Sequence, residues 1–120
     1  MSARVLLVED SPMISGALQL LLESGGFDVV LATSSADAVE IGSRQRFDVM
    51  LLDITLPDAD GLTVLHELSQ RGMKPLTTYA MTGHSDQETR DRCIAAGCED
   101  VLLKPVPVQQ LLRIVSEAVA

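Results

Sequence analysis

The chain has 120 residues, room for one domain and little else, and 47% of them are hydrophobic, enough to build a core. Its formal net charge is −8 with no compensating basic stripe, so a nucleic-acid backbone would be repelled and direct DNA or RNA binding is not expected. Its apolar runs are too short to span a bilayer, and the N-terminal one is too short for a signal peptide, so a cytoplasmic chain without membrane insertion is the expectation.

Short apolar runs alternate with amphipathic stretches along the chain. Arg4–Val8 reads as a buried strand, followed by Ser11 as N-cap, Pro12 at the first helical position and Gly25-Gly26 as a stop. Residues 27–31 read as a second strand and 35–46 as a second helix, rich in Ala with Val39 and Ile41. Residues 48–52 form the third predicted strand, followed by a polar turn over 53–60 that contains Pro57. Gly61 then leads into a helix with Leu62, Leu65 and Leu68 on one side, ended by Gly72. Residues 76–81 are the fourth predicted strand, and Ser85 with Glu88 has the spacing of a capping box for a helix that Gly97 ends. Residues 100–103 are the fifth, and Pro107 opens a last helix with Val108, Leu111, Leu112, Val115 and Val119 at helical spacing.

Strand–helix alternation of this kind implies an α/β domain over residues 1–120, with a mainly parallel sheet covered by helices on both faces. The strands are continuous apolar runs, as parallel strands buried on both faces require. Right-handed crossovers leave few arrangements, and the doubly wound, flavodoxin-like order 2-1-3-4-5 is a common one. That order sets the first and third strands side by side at the switch point. Cys93 and Cys98 have neither redox-pair nor zinc-site spacing and are expected to be two reduced thiols.

The residues at the strand ends carry the chemistry. Glu9 and Asp10 follow the first predicted strand, Asp53 the third, Thr82 the fourth, and Lys104 with Pro105 the fifth. In the predicted topology all these ends lie on the edge where open α/β sheets bind ligands. Carboxylates gathered there need a cation, and an all-oxygen ligand set points to Mg2+. Asp10 and Asp53 are candidate direct ligands, the backbone carbonyl of Thr55 a third, and Glu9 would act through bound water. Asp53 is also a candidate nucleophile, since carboxylates form aspartyl-phosphates. Phosphoryl transfer is mostly positioning and charge neutralisation at the phosphoryl oxygens, which Mg2+, Lys104, and the Thr82 hydroxyl with the Gly83 amide would share.

Taken singly these residues have plainer readings: an acid after a strand is often a helix cap, a threonine a turn residue, a lysine a surface charge. The joint pattern is specific. Val5-Leu6-Leu7-Val8-Glu9-Asp10, Leu51-Leu52-Asp53-Ile54-Thr55-Leu56-Pro57 with Asp60-Gly61-Leu62, Ala80-Met81-Thr82-Gly83 and Leu102-Leu103-Lys104-Pro105 together resemble the receiver domain of the two-component response-regulator family over essentially the whole chain. The resemblance implies that Asp53 accepts a phosphoryl group from a histidine on a partner, either a histidine kinase or a histidine phosphotransfer protein. It implies that Glu9 and Asp10 hold Mg2+, that Thr82 and Lys104 contact the phosphoryl oxygens, and that the Lys104–Pro105 bond is cis. The domain would be a phosphoacceptor switch, a monomer or weak homodimer, and an enzyme only toward its own phosphorylation and dephosphorylation. The stretch 96–105 is similar to receivers of hybrid histidine kinases, which pass phosphate onward.

Many receivers carry Tyr or Phe where this chain has Val101, and that ring turns inward with the threonine; here the Thr82 shift is expected to be coupled to smaller movements. His84, two residues after Thr82, stands at a position that tunes phosphoryl lifetime in the family, although a solvated loop histidine is the plainer reading. An aspartate-nucleophile phosphatase uses a similar set, but has a second aspartate two residues after the nucleophile where this chain has Thr55. A flavin- or nucleotide-binding module is disfavoured by one Tyr and two Phe and by acids in place of a phosphate-cradling glycine turn. Two partial motifs are set aside. Asp58-Ala59-Asp60-Gly61 looks like a calcium loop but has Leu56 at the first ligand position, and His66-Glu67-Leu68 looks like a kinase phosphoacceptor box on a surface helix.

Overall fold

The computed structural model describes residues 3–84 and 86–120. Five strands, β1 (Arg4–Val8), β2 (Asp28–Ala32), β3 (Val49–Asp53), β4 (Thr77–Thr82) and β5 (Asp100–Leu103), alternate with five helices, α1 (Pro12–Ser24), α2 (Ser35–Arg44), α3 (Leu62–Gln70), α4 (Gln87–Ala96) and α5 (Val108–Ala118). All strand pairs are parallel, in the order β2-β1-β3-β4-β5, as expected from the alternation.

Strand pleating sorts the apolar runs into two cores. Leu6, Val8, Met50, Leu52, Ala80 and Val101 join Ala38, Val64, Leu65, Leu68 and Cys93 of α2, α3 and α4. Val5, Leu7, Val49, Leu51, Met81 and Leu102 join Leu22, Leu111 and Val115 of α1 and α5. The runs are continuous because each face of the sheet buries alternate residues of the same strand. Cys93 and Cys98 are free and buried, and burial pushes the Cys98 thiol up to about 12, so both are inert thiols.

Several boundaries differ from expectation. β2, β3 and β4 begin and end one residue later than predicted, which carries Asp53 and Thr82 into the ladder. α2 stops at Arg44, because Gln45 is already extended (φ −149°, ψ 154°) and Phe47 must be buried on the way into β3. In the expected capping box Ser85 lies outside the described residues, and the cap of α4 is Asp86, whose side chain accepts from the Thr89 N–H at 3.2 Å. Ser11 and Pro12 do open α1, but without a side-chain cap bond. The apolar stripe of α5 is narrower than its spacing suggests: Leu111 and Val115 are buried, whereas Val108 is exposed.

Candidate functional site

Pleat parity places the site. Glu9, Asp53 and Lys104 each fall two residues beyond a side chain of the α1/α5 core, namely Leu7, Leu51 and Leu102, at the carboxyl ends of β1, β3 and β5. Their charged ends therefore converge. Lys104 Nζ lies 2.8 Å from Asp53 Oδ2 and 2.9 Å from Glu9 Oε1. Asp53 Oδ1 accepts from the Thr55 N–H at 2.8 Å, so both oxygens of this buried carboxylate are engaged. Glu9 is wholly buried, and apart from the ion pair with Lys104 neither of its oxygens has a hydrogen-bond partner among the described residues. Asp10, of opposite parity, is exposed and joins as the chain leaves the strand. Ligand atoms of Glu9, Asp10 and Asp53 lie within 4.8 Å of one another.

The arrangement suits a hard cation. Buried Glu9, whose Oε2 has neither hydrogen bond nor ion pair among the described residues, buried Asp53 and exposed Asp10 form an all-oxygen donor set, the chemistry that Mg2+ selects. Glu9, expected to act through bound water, is as buried as Asp53, because it shares that residue's pleat parity.

Electrostatics separates the two buried acids. Burial, reinforced by the neighbouring Asp53 carboxylate and opposed by Lys104, pushes Glu9 up to about 7. For Asp53 burial is again the largest influence and raises it, but contact with Glu9 and hydrogen bonds from Lys104 and the Thr55 amide outweigh burial and hold it below the ordinary carboxylate range. Burial lowers Lys104, yet the two acids more than reverse that and hold it above its usual value. At neutral pH Asp53 is therefore ionised, Lys104 charged and Glu9 near its midpoint.

This has a measurable consequence. Folded Glu9 keeps its proton to about 7, whereas its ordinary value is 4.5, so between those limits the folded chain binds more protons than the unfolded chain. Metal-free stability contributed by this group is present at the acid end and is lost as pH rises through that window. Asp53 is ionised in both states there and adds no slope. A Mg2+ ion held by this cluster would have to displace the Glu9 proton, so calorimetric Mg2+ affinity is expected to be about tenfold weaker at pH 6 than at pH 8. Equal affinities would contradict this assignment.

The remaining sequence-predicted residues lie in or just after β3, β4 and β5. Thr82 is buried, and its hydroxyl accepts from the His84 N–H at 3.1 Å, while its carbonyl accepts from the Lys104 N–H at 2.8 Å. Gly83 and His84 are exposed in the following loop, and Val101 is buried in the α2–α4 core. Thr55 is exposed and bridges antiparallel to Asp60, closing the β3–α3 loop over Asp53. A Cβ on Gly61 would collide with the Asp53 carbonyl oxygen and come within 2.6 Å of Ile54 Cα, so only glycine lets this loop close. The Lys104–Pro105 bond is cis.

Sequence reading did not foresee the Thr55 amide as an anchor of Asp53, nor the work of the two loop acids. Asp58 accepts from Ser35 N–H (2.9 Å) and Ala36 N–H (3.1 Å) at the start of α2; hydrogen bonds from Ser35 and Ala36 hold its carboxyl down to about 2. Asp60 accepts from Leu62 N–H at 3.0 Å and pairs with Arg92. Both acids are committed to helices, which removes the calcium-loop reading.

The chain matches the family model of the response regulator receiver domain over residues 5–116. It belongs to that family. Two-component response regulator ORR1 of Oryza sativa subsp. japonica is 32% identical over 122 residues, covering 92% of this chain and 53% of that protein. The TorCAD operon transcriptional regulatory protein TorR of Escherichia coli (strain K12) is 32% identical over 112 residues, 93% of this chain and 48% of that protein. This receiver domain thus spans about half the length of the curated relatives it matches. Among solved structures, the receiver domain of sensor histidine kinase PA1611 from Pseudomonas aeruginosa PAO1, with a magnesium ion coordinated in its active site cleft, is 32% identical. It superposes with a TM-score of 0.86, covering 99% of this chain and 98% of that one. A CheY-like receiver domain protein from Methanospirillum hungatei JF-1 is 26% identical with a TM-score of 0.88, covering 98% and 93%. The family is one of signalling domains rather than conventional enzymes, and among the described residues no helix is long and apolar enough to cross a membrane.

Proposed function

We propose that this receiver domain takes a phosphoryl group onto Asp53 from a phosphohistidine on a histidine kinase or a histidine phosphotransfer protein, and then switches conformation or passes the group onward. The single observation that carries the reading is a buried, ionised Asp53 flanked by a second buried acid, an exposed third acid and one lysine whose Nζ contacts both buried carboxylates.

In this reading one oxygen of Asp53 forms the bond to phosphorus while the phosphorus–nitrogen bond of the donor breaks, its electron pair returning to the imidazole. Lys104 exchanges its contact with Asp53 Oδ2 for a phosphoryl oxygen. Thr82 gives up the His84 amide to reach another, with the Gly83 amide beside it. Glu9, Asp10 and Asp53, with the Thr55 carbonyl, would hold Mg2+, which would neutralise charge on the phosphoryl oxygens. Inward movement of Thr82, with Val101 in place of a turning ring, biases the loop after β4 and the following helix α4 by smaller movements.

In this reading the partner docks beside the cluster. Met13 and Ile14 of α1 and Pro105 and Val106 after β5 bank an apolar groove of roughly 510 Å3, with Met81 and Lys104 also lining it beside the cluster. Met13 is 85% exposed, unusual for so apolar a side chain. Met13→Asp is expected to slow transfer from a phosphohistidine partner tenfold or more, a typical loss for an interface anchor, and to leave labelling by acetyl phosphate unchanged. Equal slowing with both donors would contradict this.

The reading is tested by incubating the protein with Mg2+ and acetyl phosphate. One acid-stable, base-labile phosphoryl group per chain, absent from Asp53→Asn, is the expected result. Rapid multiple turnover of the donor would instead indicate a phosphatase.

A further inference from the structure

The loop over residues 54–61 is short, yet it is tied at both flanks. Within itself it is closed by the Thr55–Asp60 bridge and by the Gly61 N–H to Ile54 carbonyl bond of 2.9 Å. On one flank Asp58 holds the start of α2. On the other, Asp60 uses Oδ1 to cap α3 at the Leu62 N–H and Oδ2 to accept from the Arg92 guanidinium on α4. Asp60 thus has one oxygen for its own helix and one for a helix elsewhere in the chain. Arg92 lies in neither the carboxylate cluster nor the groove beside it.

What the loop carries makes this tie consequential. Thr55 supplies the amide that orients Asp53 and, in the proposed function, the carbonyl that completes the Mg2+ ligand set. Mg2+ tolerates little departure from octahedral geometry, so a carbonyl on a loop free to shift is a poor ligand. We infer that Arg92 is a positioning residue for metal binding: through Asp60 it fixes the loop that presents Thr55, although it touches neither metal nor phosphoryl group. The inference rests on the Mg2+ reading of the site.

Charge and positioning predict effects of opposite sign. Removing a cation from the neighbourhood of an acidic site tightens Mg2+ binding if Arg92 acts only through its charge. Removing the tie weakens binding if Arg92 positions the loop. Calorimetric titration of Mg2+ into Arg92→Ala is expected to show about fivefold weaker binding, a factor that one partly exposed ion pair can supply, with Arg92→Lys recovering part of the loss. Introduced into Asp60→Asn, Arg92→Ala should cost little more, because both changes cut the same tie.

Equal or tighter binding by a folded Arg92→Ala, or full additivity with Asp60→Asn, would overturn the inference while leaving the proposed function standing. A thermal shift with unchanged Mg2+ affinity would reduce Arg92 to a structural role and overturn it likewise. Absence of Mg2+ binding by the unmodified protein would overturn both.

Discussion

Lys104→Met is expected to destabilise the metal-free protein by about 2 kcal/mol at pH 8 and to lower phosphorylation of Asp53 at least a hundredfold. Lys104 Nζ is the cation in contact with both Glu9 and Asp53, two carboxylates that the sheet ends bury almost completely. Breaking a buried pair by removing one partner typically costs about 3–5 kcal/mol, because the stranded charge keeps its desolvation penalty. The figure here is smaller because the lysine side chain is 25% exposed and water reaches its place. Methionine keeps much of the stem against the groove, so the loss reports the ammonium. The sign with pH follows from Glu9. Its proton is retained to about 7 even with the lysine present, so at pH 6 the acids share a proton and the penalty shrinks. Added Mg2+ should return part of the lost stability by taking over the charge. The hundredfold loss of phosphorylation is the scale seen when one preorganised group is removed from developing charge. Denaturant titrations at pH 6 and pH 8, with and without Mg2+, check the pattern. Equal stability of variant and parent at pH 8 would mean that the lysine does not compensate these acids.

Gly61→Ala should destabilise the fold by about 3 kcal/mol, the upper part of the range for overpacking. The clash is with backbone, at the Asp53 carbonyl oxygen and Ile54 Cα, rather than with a side chain that can turn away. Gly61 itself has ordinary helical dihedrals (φ −56°, ψ −29°), so the cost is purely steric. Relief requires the loop to move off β3, which displaces the Thr55 amide from Asp53 Oδ1. Stability and Mg2+ affinity should therefore fall together. Loss of stability with unchanged Mg2+ affinity would show that the loop is not part of the metal site.

The contrast between these residues explains how far the sequence could be read. Strand order and the convergence of Glu9, Asp53 and Lys104 were legible because they follow from local periodicity and from the one-way geometry of parallel crossovers. Burial of Glu9 was not legible, because residue 9 lies beyond the apolar run of residues 5–8. In fact its N–H continues the ladder to the Ala32 carbonyl at 3.0 Å, and pleating then fixes its side chain beside Asp53. The ties of Asp58 to α2 and of Asp60 to Arg92 join positions 22–32 residues apart. Nothing in the local pattern marks those pairs, and an acid after proline or before glycine reads equally well as a turn residue. The cap of α4 was misplaced by one residue because Ser85 and Asp86 are both good N-caps and only tertiary context chooses between them.

Position 53 can be read out chemically. Borohydride reduces an aspartyl phosphate to homoserine, so protein treated with acetyl phosphate and Mg2+, reduced and then digested, reports the modified residue in its peptide masses. Homoserine at position 53 alone, formed with Mg2+ and absent when the metal is chelated, is the predicted result. Homoserine at another acid, or equal conversion without divalent metal, would contradict the assignment of Asp53 as the phosphoacceptor of a metal-dependent site.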